Sequence, residues 1–379
     1  MSSVIIVDID TTLPRYETYP GELFCRDTFR VIGVQTHTLQ SCYQYFPDYQ
    51  KSVAVVQVSN GIVFSPIDLS RFGMVVALDE EAVLNPNTVL QTLRAQFNNN
   101  NVKYVVGGCS KKYQKQYHVP NQNVYIHPFV MLGVSKYNNF RRVPSLTCHK
   151  KYFDVLLGSE KRHRRWLFDK MQQQNLLKLA YVNLTGPIKS AFDETEIVYR
   201  TKGINSFEEP CVQSIVSKKF GFNSRKHIDV LNQNETMNPR ASYMVPWRLY
   251  EQTLYSVVTE TNDCIEDNIY FFTEKTGKCL FAHRPFVLFS GQGHLRYLKS
   301  MGFKTFESVI DESYDDIADY ETRWNAAFAQ LQWLVQQPPR EILTTLRPIL
   351  AHNSFLIRNT DYFTEPLRAW LESLIDNAV

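Results

Sequence analysis

Short apolar runs alternate with segments of helical spacing through most of this chain, a rhythm that few architectures accept. Residues 4–7, 31–34, 53–58 and 74–77 read as strands. Residues 86–97 follow as a helix with an asparagine cap, and 102–106 as a further strand before Gly107-Gly108. Strand, helix, strand in that order predicts an α/β layer on a largely parallel sheet. The pattern breaks near residues 140–150, where Asn138-Asn139, Arg141-Arg142 and Pro144 stand. It restarts as a βαβ opening: strand 152–157, a turn at Gly158-Ser159, an amphipathic helix 164–174 and a strand 178–184. Such an opening typically begins a Rossmann-like domain. Beyond a polar stretch at 187–243, the spacing predicts a helix-to-strand passage at 249–259. Helix 275–281, strand 285–289, helix 294–301 and a short strand 304–306 come next. From Ile317 the chain reads as helical, in segments reaching about 336 and then spanning 340–351 and 365–375.

A chain of 379 residues suits two domains of about 150 residues each, with helical material left over. Hydrophobic residues at 44% and charged residues at 21% exclude a disordered or fibrous chain. No apolar run approaches the roughly 18 residues of a membrane span, and the N-terminus lacks a signal-peptide pattern, so a cytoplasmic protein without a membrane partner is expected. The seven cysteines form no C-x-x-C pair and read as reduced, buried thiols. A net charge of +3 hides short basic clusters: Lys111-Lys112 with Lys115, Arg141-Arg142, residues 161–165, Lys218-Lys219, and Arg225-Lys226. Each cluster alone is ordinary solvated charge; only convergence in space would make one a phosphate site.

The most informative stretch runs from 268 to 323. It holds Phe272-Thr273-Glu274-Lys275-Thr276, then Arg284-Pro285 with a strand and Gly291 and Gly293, then Gly302-Phe303-Lys304-Thr305-Phe306, then Asp311-Glu312-Ser313-Tyr314-Asp315. A helix N-terminus offers free backbone N–H groups and partial positive charge. Thr273-Glu274-Lys275 at a helix start therefore presents amides, a hydroxyl and an ammonium to a diphosphate. Lys275, with Lys278 one turn on, suits phosphate. Glu274 does not, and suits a pair of sugar or ribose hydroxyls, as does Glu260 at the end of the preceding strand. His163 and Arg164 stand where a strand feeds a helix, the edge at which open α/β sheets bind ligands.

This ordered series resembles the donor half of fucosyltransferase-like GT-B enzymes, and more closely a group of glycosyltransferases frequent in tailed phages. Lys161-Arg162-His163-Arg164 is similar to the R-x-H-R element of that group, with lysine in place of its first arginine. The likeness covers about residues 150 to 325. It implies a GT-B fold of two Rossmann-like domains with an interdomain cleft: an acceptor domain at 1–149, a nucleotide-sugar domain at 150–330, and a helical tail at 331–379 packing back on the first domain. It implies a nucleoside diphosphate sugar as co-substrate, no cofactor, no metal, and a monomer acting in a host cytoplasm if phage-encoded.

Asp8-Ile9-Asp10 follows the first strand. A D-x-D-x-T sequence there is also the nucleophile motif of haloacid-dehalogenase-type phosphatases, but no later lysine with an acidic metal pair completes it. In a GT-B enzyme a carboxylate at that strand end faces the cleft, so Asp8 or Asp10 is the expected general base. The acceptor is open to two readings: a saccharide, or a hydroxymethylated base in duplex DNA. For the second, Lys111, Lys112, Lys115, Lys218, Lys219, Arg225 and Lys226, with Tyr113, Tyr117, Phe220 and Phe222 among them, would contact the nucleic acid. A catalytically silent GT-B relative that binds nucleotide or nucleic acid is the alternative outside enzymes.

Overall fold

The computed structural model describes residues 3–7, 36–37, 52–58, 69–114, 123–138, 149–159, 161–185, 243, 245–261 and 269–378. The first elements are β1 (Ser3–Val7), β2 (Thr36–His37), β3 (Ser52–Val58), β4 (Met74–Val83), α1 (Pro86–Phe97), β5 (Val102–Ser110), α2 (Lys111–Gln114), β6 (Val124–Ile126) and α3 (Phe129–Tyr137). Then come β7 (Lys151–Ser159), α4 (Arg162–Gln173), β8 (Ala180–Thr185), α5 (Trp247–Gln252), β9 (Thr253–Thr259), β10 (Ile269–Tyr270), α6 (Glu274–Phe281), β11 (Phe286–Phe289) and α7 (His294–Ser300). The chain finishes on α8 (Tyr320–Gln336), α9 (Pro339–Arg358) and α10 (Asp361–Ala378).

Two sheets result. The first has the order β10-β5-β4-β3-β1-β2, with β6 on the outer side of β5; the second runs β11-β9-β7-β8, every pair parallel. Among the described strands of the first sheet only β10 is antiparallel. This is an α/β architecture of two mainly parallel sheets with a helical C-terminal tail, the layout of a GT-B fold.

Burial on both faces explains the near-continuous apolar strands. Val53, Val55, Met74, Val76 and Leu78 face one core, while Ala54, Val56, Val75 and Ala77 alternate onto the other, against Leu90, Leu93 and Phe97 of α1. Helix α1 forms because Asn85 accepts the amides of Asn87 and Thr88, Pro86 opens the first turn, and the apolar positions recur at helical spacing. It stops where Asn98 turns left-handed at φ 49°. Burying Leu93 and Phe97 completely contributes about 1.5 to 3 kcal/mol each.

The larger core is continuous between the sheets, because α6 packs on α3 and the tail lies across both. A Cβ on Gly277 would meet the Met131 carbonyl oxygen at 2.4 Å, so the α6–α3 approach needs glycine there. Trp370 of α10 meets Tyr125 of β6 at 5.3 Å between ring centroids.

Several readings change, three of them with a visible local cause. Strand β5 continues past Val106 to Ser110, because Cys109 and Ser110 pair with Tyr270 and Ile269; a Cβ on Gly108 would meet the Tyr270 carbonyl oxygen at 2.3 Å. Gly158-Ser159 belongs to β7 and is no turn, since both residues pair with β8. Residues 304–306 form no strand: the Asn353 side chain takes both the N–H and the carbonyl of Lys304, at 2.8 and 2.7 Å, in place of a neighbouring strand. The expected strand at 31–34 lies outside the described residues, as does most of the break at 140–150. No helix of the described residues is long and apolar enough to cross a membrane.

Candidate functional site

The C-terminal edge of the second sheet gathers three helix starts. Helix α4 follows β7, α6 follows β9 by way of β10, and α7 follows β11. Their capping differs. Asp315 takes the amides of Leu295 and Arg296, each at 3.0 Å, and so closes the start of α7. The start of α6 is held by Thr273, whose Oγ1 accepts from the Lys275 amide at 3.4 Å, and by Glu260. Helix α4 has no side-chain cap and no acid in its first turn, which reads Arg162-His163-Arg164-Arg165. Basic residues at a helix start oppose the macrodipole, a local cost that an anion there would relieve.

Glu260 joins the two basic motifs. Its carboxylate is fully buried and accepts from the Thr273 amide at 3.2 Å, from Thr273 Oγ1 at 2.6 Å and from Thr276 Oγ1. Its carbonyl oxygen accepts from His163 Nε2 at 3.0 Å and from Arg164 Nη2 at 3.4 Å. Residues about a hundred apart in sequence are thereby fixed at one point. His163 and Arg164, 2% and 3% exposed, are not the solvated helix turn their sequence also allowed.

The bond to Glu260 puts the His163 proton on Nε2 and leaves Nδ1 an acceptor, with no hydrogen-bond partner among the described residues. Burial lowers the His163 pKa to about 3; Arg164, Lys161 and Lys275 push the same way, and the Glu260 carbonyl pulls against them. The imidazole is neutral because a further cation among these is disfavoured. Burial likewise lowers Arg164, against the opposing pull of Glu260 and Glu274, but a guanidinium stays charged in proteins. The hydroxyls of Thr259 and Ser290, at the ends of β9 and β11, are buried and also lack a partner among the described residues.

Lys275 spends all three N–H donors: on Thr261 Oγ1 at 3.1 Å, Thr273 Oγ1 at 3.2 Å and Glu274 Oε1 at 2.9 Å. For Glu274, burial would raise the pKa, but the ammonium groups of Lys275 and Lys278 outweigh it and hold the carboxyl below its usual value. Lys161 donates to the Thr261 carbonyl, and Arg162 lies 4.8 Å over the Tyr320 ring.

From the first sheet, the C-terminal end of β5 reaches the same region. Ser110 pairs with Ile269, three residues before Phe272, and half-buried Lys111 and exposed Lys112 follow directly. Lys112 lies 5.5 Å over the Tyr113 ring. Asp8, Asp10, Lys115, Lys218, Lys219, Arg225 and Lys226 lie outside the described residues. Among the described residues no group of three or more His, Cys, Asp or Glu side chains could hold a metal ion. Cys109 and Cys279 are buried free thiols.

Sequence reading did not find Arg323, whose buried guanidinium donates to the carbonyls of Ser290, Ile317 and Ala318 and fixes the turn after β11. Nor did it find the buried Asp154–Arg284 pair, at 2.5 Å, beneath the sheet. Neither belongs to a local pattern. The only available signal was an arginine beside an apolar strand, as at Arg284-Pro285.

No protein-family model matches the chain, and no curated protein matches it. Solved structures of T4 phage BGT, one in complex with UDP and Mn2+ and one of a mutant in complex with UDP-glucose, are similar over 99% of each chain, at 9% identity and a TM-score of 0.43. Likeness at that level carries no inference, and the functional reading rests on this chain's own residues.

Proposed function

We propose that the chain is a glycosyltransferase that moves a sugar from a nucleoside diphosphate donor to a hydroxyl acceptor. The observation that carries this reading is the meeting of two sequence-distant basic motifs at Glu260, with His163 and Arg164 on its carbonyl and Thr273 and Thr276 on its carboxylate. Arg164, Lys275 and Lys278 then surround the edge at which parallel sheets bind ligands. In the reaction the bond from the sugar C1 to the β-phosphate oxygen breaks, the acceptor oxygen bonds to C1, and its proton passes to a base. Charge developing on the leaving diphosphate is met by Arg164 and Lys275. Glu274 accepts sugar hydroxyls, and Glu260 holds Thr273 and the two motifs in place. The donor occupies 150–330, the acceptor 1–149, and the tail at 331–379 braces both. Asp8 or Asp10, directly after β1, is the base.

A thermal-shift screen against UDP, GDP, CDP and ADP and their sugar conjugates tests the reading. At least one conjugate is expected to raise the melting temperature; no response from any would overturn it. The finer reading of the acceptor is a hydroxymethylated base in duplex DNA, supported by Lys111 and Lys112 at the end of β5, beside the segment that leads into α6. DNA affinity should fall with salt at a log-log slope of about −0.9 per phosphate contacted, and neutralising Lys111, Lys112 and Lys115 together should flatten it. Transfer to a saccharide and none to hydroxymethylated DNA would remove DNA from the reading.

A further inference from the structure

We infer that Glu274 makes this site prefer a sugar-bearing diphosphate over a bare one, by holding Lys275 until a phosphate takes its place. The inference rests on the donor site just proposed. An ammonium has three donors, and those of Lys275 are all engaged, so a phosphate oxygen reaches Nζ only by displacing Thr261, Thr273 or Glu274. Thr273 is itself pinned by Glu260 at 2.6 Å and by its capping of α6. Glu274 is the partner that carries charge, so it is the one that competes with phosphate for the same ammonium.

Displacement has a cost that depends on the ligand. The freed carboxylate keeps Lys278 nearby but faces a phosphate of like charge, and it accepts hydrogen bonds without donating any. A bare diphosphate gives it no sugar hydroxyls; a nucleotide sugar does. The exchange therefore penalises the bare nucleotide selectively. After transfer it also aids release, since Glu274 regains Lys275 once the sugar has gone. That the surroundings suit an anion is seen independently at the start of α4, which has no side-chain cap and no acid in its first turn and holds the Arg164 guanidinium, 3% exposed, on the Glu260 carbonyl oxygen.

The test is calorimetric titration of the full chain and its Glu274→Gln and Glu274→Ala variants. The probes are inorganic pyrophosphate, the nucleoside diphosphate that binds in the screen, and its sugar conjugate. Both variants are expected to bind the bare diphosphate and pyrophosphate roughly 2- to 5-fold more tightly than the natural chain, the range of one half-buried ion pair. The conjugate should bind no tighter, so the preference for it shrinks. If both variants fold and bind the bare diphosphate no more tightly, the exchange is wrong and the donor site stands. If the natural chain binds none of the three probes, the donor site falls and the exchange with it.

Discussion

Replacing Lys275 by alanine removes one cation from the proposed phosphate site, and the structure sets the size of the loss. A charge-assisted hydrogen bond to a phosphate oxygen is worth about 1.5 to 3 kcal/mol. Lys275 does not offer that in full, because it must first leave Glu274, and the two side chains are 19% and 16% exposed. Breaking such a pair costs about 0.5 to 1 kcal/mol. The net loss on Lys275→Ala is then about 1 to 2 kcal/mol, or roughly 5- to 30-fold in Kd for the nucleoside diphosphate. Calorimetric titration reads this directly, with a melt of the unliganded variant to show that it folds. Combining the change with Glu274→Gln should be non-additive, because with no ammonium to contest the second change gains nothing. An unchanged Kd in a folded Lys275→Ala variant would refute the reasoning.

Other expectations follow from the same geometry. Asp154 accepts from Arg284, Thr253 and Ser256 in a fully buried network, so Asp154→Ala strands a guanidinium and should cost about 3 to 5 kcal/mol of stability, seen as a lower urea midpoint. Burial pushes Glu312 up to about 7, against the hydrogen bond from the Phe306 amide, the nearby Thr305 hydroxyl and the charge of Lys299. A raised carboxyl gives stability that is full below its unfolded value of about 4.3 and lost as pH rises through about 7. Melting temperature should thus fall more between about pH 5 and about pH 8 in the natural chain than in Glu312→Gln; equal falls would count against it. Asp8→Asn or Asp10→Asn should abolish transfer and leave donor affinity intact, as loss of a general base does, whereas full turnover in both puts the base elsewhere.

What the sequence determined by itself was local. Helix α1 was legible to the residue, because its cap, its proline and its apolar spacing all act within four residues. The strand runs at 53–58 and 285–289 and the order of the βαβ opening were legible to within a few residues, since the side-chain period is carried by the segment itself, but the turn expected at Gly158-Ser159 was not there. The sequence also marked Thr273-Glu274-Lys275 as a helix start. What it could not supply was the partner of any group far along the chain. Whether His163 and Arg164 were solvated or buried depended on Glu260, 97 and 96 positions away, and Glu260 read as a ligand for hydroxyls until its carboxylate was found spent on Thr273 and Thr276. Strand β5 outran its expected end because β10 supplied partners from another part of the chain, and residues 304–306 lost their strand to Asn353. A buried polar group takes whatever partner the packing brings near it, and only the tertiary structure decides which one that is.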